Sequence, residues 1–292
     1  MKKSPFKKLL KWIGIILGIL VFALYIGLPV GMGVFALTPA QKTVSAAPEG
    51  FTEVSLQTSD GETLAAWYLP PSNGAVILLL HGAGGSRDDV RAYAQMLARN
   101  GYGVLAMDLR GHGESSGKTN RLGWPGTPDV SAAVAHLQAQ EEVQQIGALG
   151  LSMGGEVLLG AAAENPAISA IVADGATRRS LEELQALPAE RSLVHSFTPG
   201  VMFTTVRIFG GQKPPAPLLD SMIAATETRF FFIAAGSKTL EVEFNQLFAE
   251  TLGPRATLWV APQATHIGAF ALYPAEYEQR VMDFFNSTLI GE

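Results

Sequence analysis

Six short apolar runs punctuate the chain, at 75–80 (AVILLL), 103–108 (GVLAMD), 146–151 (IGALGL), 168–173 (ISAIVA), 229–235 (RFFFIAA) and 256–261 (ATLWVA). None alternates apolar with polar residues, so each has the pattern of a strand buried on both faces, the condition of a parallel sheet. Helix-like segments lie between them, at 88–99, 129–140, 154–164, 243–251 and 275–289. Alternating strands and helices predict an α/β fold with helices on both sheet faces. Ahead of this rhythm, 51–71 alternates and breaks at Asp60-Gly61, which predicts a hairpin with a two-residue type I′ turn. One interval is far longer than the rest: more than fifty residues separate Ala173 from Arg229. Such an insertion predicts a small helical cap over about 176–228, at the C-terminal edge of the sheet. That placement would set Phe197, Met202, Phe203 and Phe209 near a substrate.

The N-terminus holds a second constraint. Five lysines fall in the first eleven residues, and no charge follows from Trp12 to Gln41. A bilayer needs about 20 apolar residues in a helix, and this run of 30 exceeds that. The reading is a basic tail and single transmembrane helix over 1–37, contacting the membrane through residues 12–37. A cleavable signal peptide is the rival, but its apolar region would be only ~7–15 residues. Lysines before the helix point to a cytoplasmic N-terminus and place the remaining chain outside the cell membrane, as a single-pass protein. Residues 38–50 (TPAQKTVSAAPEG) are small, polar and proline-punctuated, as a linker would be, leaving 51–292 as the globular part. Beyond the tail, 16 basic residues face 26 acidic ones, a net charge of −10 that argues against a nucleic-acid partner. The chain has no cysteine, which excludes disulfides, a thiol nucleophile and thiolate metal sites.

Ser152 is the candidate nucleophile. In GLSMGG it follows a buried-type strand and precedes a helix, the context in which G-x-S-x-G forms a sharp elbow. Gly150 and Gly154 fill the flanking positions, and a plain glycine turn is the competing reading. In LLLHGAGGS, a second strand runs into a glycine loop. Backbone amides of Ala83 and Met153 would then form an oxyanion hole. The loop matches neither phosphate-binding glycine pattern.

With HGAGGS, DLRGHGESSG and GLSMGG, the chain resembles the α/β-hydrolase family over roughly residues 50 to 290. Within that family it looks most like the branch of monoacylglycerol-lipase-like esterases and proline-type aminopeptidases. The resemblance implies a mostly parallel eight-stranded sheet, and the chain order nucleophile, acid, base. His266, in the loop after the last strand, is the base it implies. His112 precedes the nucleophile and is read as structural. The acid departs from the family pattern, because the expected position, three residues after Gly236, is Thr239. Glu241 is the first candidate, Asp174 at the end of the sixth strand the second, and Glu243 the third. The expected activity is that of a membrane-anchored serine hydrolase cleaving carboxylic esters with an apolar acyl group, without metal or organic cofactor. Three alternatives stay open: a thioesterase, a peptidase holding a free amino terminus with Glu182, Glu183 or Glu190, and a catalytically silent binding member of the fold.

Overall fold

The computed structural model describes residues 5–291; Lys2 and Lys3 of the basic tail lie outside the described residues. Eight strands build one sheet: β1 (Thr52–Gln57), β2 (Thr63–Leu69), β3 (Ala75–Leu80), β4 (Gly103–Met107), β5 (Gln145–Leu151), β6 (Ile168–Asp174), β7 (Arg229–Ala235) and β8 (Ala256–Ala261). Their spatial order is β8-β7-β6-β5-β3-β4-β2-β1. β2 runs antiparallel to both its neighbours, and the other pairs are parallel. All six apolar runs of the sequence are strands of this sheet, and the architecture is the α/β-hydrolase fold.

The reason is visible in β3, whose residues are all buried. Val76, Leu78 and Leu80 enter a core with helices α4 (Thr127–Gln138), α5 (Met153–Ala161) and α9 (Thr239–Leu252). Ala75, Ile77 and Leu79 enter the opposite core, with α3 (Arg91–Arg99) and α11 (Pro274–Phe285). A strand flanked by two hydrophobic layers has no polar face to alternate. Strand order changes direction where β3 lies between β4 and β5, and in open α/β sheets the crevice at the strands' C-terminal ends beside such a point receives ligands.

Two local features differ from the sequence reading. The β1–β2 connection is a five-residue loop, because the ladder closes at Gln57 opposite Thr63. Thr58 holds it open: its hydroxyl donates to Asp60 Oδ1 at 2.6 Å and accepts from the Glu62 amide at 2.8 Å. Asp60 in turn pairs with Arg110. Helix α9 begins at Thr239, four residues before the apolar periodicity becomes visible.

Between β6 and β7 the chain forms α6 (Leu181–Leu184), α7 (Leu193–Gly210) and α8 (Leu218–Ala224). At the N-terminus, α1 (Pro5–Phe22), a π-helical turn (Ala23–Gly27) and α2 (Leu28–Phe35) run consecutively. Its stretch Lys8–Phe35, 28 residues containing an 18-residue window of mean hydropathy 2.6, is long and apolar enough to cross a membrane. At 1.5 Å per residue it reaches about 42 Å, against about 30 Å of hydrocarbon. The segment 38–50 is no free tether: Ala40–Gln41 pairs in parallel with His112–Gly113, and the Ser45 amide donates to Asp88 Oδ2 at 2.8 Å.

Candidate active site

Ser152 stands between β5 and α5 with φ 50° and ψ −118°, a conformation that costs a non-glycine residue of order 1–3 kcal/mol. The neighbouring glycines are there because strand and helix cross closely. A Cβ on Gly150 would lie 2.5 Å from the Gly154 carbonyl carbon, and one on Gly154 would lie 2.6 Å from the His81 carbonyl oxygen. The Ser152 amide donates to the Asp174 carbonyl at 2.7 Å, which ties the elbow to the next strand. Only small residues close this turn and leave the hydroxyl at its apex.

His266 reaches that hydroxyl from the loop after β8. Its Nε2 lies 2.8 Å from Ser152 Oγ and its Nδ1 lies 2.7 Å from Glu241 Oε2. With Nδ1–H donating to the carboxylate, Nε2 is free to accept the serine proton. The Glu241 hydrogen bond raises the His266 pKa, against the opposing effect of burial. Glu241 is 3% exposed and His266 44%, so the carboxylate is shielded while the imidazole edge is open. The other carboxylate oxygen of Glu241 accepts from the Ala235 amide at 2.6 Å, which fixes its rotamer. Two details bring the imidazole in. Gly175 leaves space that a Cβ would take, 2.9 Å from His266 Cε1, and Ile267 holds φ 50°, rare for a β-branched residue.

The remaining acid candidates lie elsewhere. Glu243 lines a surface hollow with Leu187, Pro188 and Gln246, away from the imidazole. Asp174 ends β6, fully buried, and burial pushes its pKa up to about 7, with the nearby Glu241 charge adding to it. Tyr277 interacts with that carboxyl at a geometry short of a full hydrogen bond, and Asp174 Oδ2 has no partner among the described residues. Asp174 therefore neighbours the Ser152–His266–Glu241 chain as a neutral acid below neutrality.

Of the two amides expected to face an oxyanion, that of Met153 belongs to the first residue of α5, so it is one of the helix's unpaired donors. The glycine loop packs against the elbow, a Cβ on Gly82 falling 3.6 Å from Ser152 Cβ. Ala83 follows it, with no backbone acceptor for its amide among the described residues. His81 anchors this loop: Nδ1 donates to the Gly82 carbonyl at 2.8 Å, and Nε2 accepts from the Leu109 amide at 3.1 Å. Burial lowers its pKa to about 4, so it stays neutral and keeps both bonds.

Comparison with known proteins bears on the fold. The model of the serine aminopeptidase S33 family matches residues 71–206. The esterase Pf2001 of Pyrococcus furiosus superimposes with a TM-score of 0.70 and 26% identity, over 87% of this chain and 98% of that one. The chain belongs to the α/β-hydrolase superfamily. An uncharacterized protein of Mycobacterium tuberculosis is 29% identical over 216 residues, 68% of this hydrolase and 75% of the relative. The thiohydrolase aneE of Aspergillus aculeatus is 30% identical over 128 residues, 42% of this chain and 40% of its own.

The four cap residues expected near a substrate divide. Phe203 is buried and Met202 half-buried in a small cluster with Ala36 and Trp124, joining the cap to the N-terminal helix. Phe197 and Phe209 are exposed, and the hollows they line include neither Ser152 nor His266. Burial against the N-terminal helix, which periodicity within the cap does not encode, directs these side chains. Sequence reasoning also missed a charge cluster behind the glycine loop, where buried Arg87 pairs with buried Asp108 and with exposed Glu114. Its only sequence signal is the charge density of RDD and DLRGHGE.

Proposed function

We propose that this hydrolase is a membrane-anchored serine esterase, with Ser152 as nucleophile, His266 as general base and then acid, and Glu241 as the triad carboxylate. The observation that carries the reading is the unbroken hydrogen-bonded chain from Ser152 Oγ through His266 to Glu241. His266 Nε2 takes the serine proton as Oγ attacks the ester carbonyl, and the carbonyl oxygen becomes an oxyanion held by the Ala83 and Met153 amides. The protonated imidazole, stabilised by Glu241, donates to the departing alkoxide, leaving an acyl-enzyme. Water, deprotonated by the same imidazole, then frees the acid. Similarity to the P. furiosus esterase supports ester substrates, the apolar helix supports a membrane location, and the five lysines ahead of it favour a hydrolase body on the extracytoplasmic side.

Similarity to a thiohydrolase favours thioesters as the second reading, since the same steps cleave them. The aminopeptidase reading is weakened at one carboxylate: Glu183 is buried and already accepts from the Arg179 and Leu218 amides at 2.5 and 2.6 Å. A silent binder was suggested only by the missing acid at Thr239, and Glu241 sits within hydrogen-bond reach of His266.

The test is fluorophosphonate labelling of the full chain in detergent, followed by turnover of matched p-nitrophenyl ester, thioester and aminoacyl-anilide substrates. Labelling abolished by Ser152→Ala and turnover of esters above the others is the expected result. Absence of labelling in folded wild-type protein overturns it.

A further inference from the structure

Helix α7 packs along the N-terminal helix over much of its length. A Cβ on Gly33 would lie 2.7 Å from Thr205 Cβ, and one on Gly210 would lie 3.1 Å from Leu37 Cδ2. At the other end of α7, Leu193, Val194 and Phe197 share a groove with Phe22, Tyr25 and Ile26. The two helices are therefore parallel, and the start of α7 lies beside residues about 10 positions, or roughly 15 Å, farther into the apolar helix than its end. On the N-terminal helix, the covered positions Pro29, Gly33 and Ala36 recur at helical spacing, with glycine where the backbones come closest.

The outer face of α7 is apolar and uncovered. Leu193, Phe197, Val201, Thr204 and Ile208 follow the i, i+4, i+8, i+11, i+15 stripe of one helix face. Leu193 and Val194 are 77% and 75% exposed, and Ile208 is 64% exposed. Arg207 is the only charged residue of the 18 in the helix. Two hydroxyls of the helix are satisfied internally: Ser196 Oγ donates to the Ser192 carbonyl at 2.9 Å and Thr205 Oγ1 to the Val201 carbonyl at 2.8 Å. Before the helix, Arg191 Nε donates to the Gln185 carbonyl at 2.9 Å. Such self-satisfied hydroxyls are what a hydrocarbon solvent requires.

We propose that α7 is a second membrane contact, its first turns immersed in the leaflet beside the N-terminal helix so that bilayer lipid covers the Leu193–Ile208 face. The inference rests on the reading of residues 8–35 as a membrane helix. Continuity decides the occupant, because the exposed stripe begins against residues 22–26 of that helix and cannot stay in water while they lie in hydrocarbon. The cap is thereby held against the membrane that carries the chain.

The absence of cysteine allows single nitroxide labels on the full-length chain in phosphatidylcholine vesicles. Labels would be placed by Val194→Cys, by Leu193→Cys as a second probe of the same turn, by Leu17→Cys in the N-terminal helix, and by Thr257→Cys on the exposed rim of β8. Power saturation with oxygen and with an aqueous nickel chelate reads lipid against water. The expected result is that labels at 193 and 194 follow the one at 17, with nickel collisions at least fivefold below those at 257. Labels at 193 and 194 as open to nickel as the one at 257, with 17 in lipid, overturn the α7 contact alone. A label at 17 open to nickel overturns the membrane helix and the contact with it. Dipolar broadening between labels at 194 would put a second copy of the chain on this face and overturns lipid as its occupant.

Discussion

Replacing Asp174 by asparagine separates two roles for a carboxyl beside the proposed catalytic residues. Asp174 is fully buried and its pKa rises from 3.8 to about 7, first through burial and then through the Glu241 charge. Between about pH 4 and 7 the native protein therefore holds a proton that the unfolded chain has released. Stability falls as pH rises through that window, since ionising the buried group costs native protein more than unfolded. Three pKa units correspond to about 4 kcal/mol above pH 7. Asparagine cannot ionise, so the variant should match the wild type near pH 4 and gain on it with rising pH. For a chain of this size the advantage at pH 8 is on the order of 10 °C in Tm. The assay is thermal unfolding of both full-length proteins in detergent, followed by intrinsic fluorescence at intervals from pH 4.5 to 8.5. Glu156, Asp108 and Asp129, whose pKa values burial also raises, are common to both proteins and cancel in the difference. Two curves that track each other within 2 °C across the range would refute the claim that Asp174 is held as a neutral acid. A triad acid must be ionised at working pH, so Asp174→Asn should also keep esterase turnover within about tenfold of wild type.

Glu241→Gln is expected to lower kcat/KM by roughly 10²–10⁴-fold, because the imidazolium loses its counter-charge. In that variant the acid limb of the pH–rate profile should move to lower pH, as Glu241 is the first cause of the raised His266 pKa; a limb that stays in place would remove Glu241 from the triad. Gly154→Ala drives a Cβ to 2.6 Å from the His81 carbonyl oxygen and 2.7 Å from that of Leu80, so fluorophosphonate labelling should be lost along with about 1–3 kcal/mol of stability in urea titration. Glu183→Gln leaves one of two buried backbone amides without its acceptor, and should cost about 1–3 kcal/mol by the same titration while leaving substrate preference unchanged.

Much of this was legible in the chain because the informative residues act through local geometry. The strands of the sheet are continuous apolar runs since both faces of β3, β5 and β6 are covered, and Ser152 is legible because its elbow demands glycines at fixed offsets. Glu241 was a candidate among others for a physical reason. Its reach depends on α9 starting at Thr239, and on the longer glutamate side chain spanning from the first turn of that helix to His266, neither of which periodicity encodes. The five-residue β1–β2 loop escaped because Thr58 and Arg110 hold it, the latter from 50 residues away. The orientation of the cap's phenylalanines was set by contacts with the N-terminal helix, a pairing of segments about 170 residues apart in sequence.

Ser152 and Ile267 both stand at φ 50°, and Asp174 lies buried with an oxygen that has no hydrogen-bond partner among the described residues. These three unfavourable features meet in a single hydrogen-bonded neighbourhood, so the least relaxed part of the molecule is also the part that holds the reactive geometry. Directed evolution for heat tolerance would meet its easiest gains there, by relaxing the elbow or the histidine loop, and those gains would come with loss of turnover. Useful thermostabilising substitutions belong instead on the two hydrophobic layers and the outer strands, where local comfort and the overall architecture make the same demand.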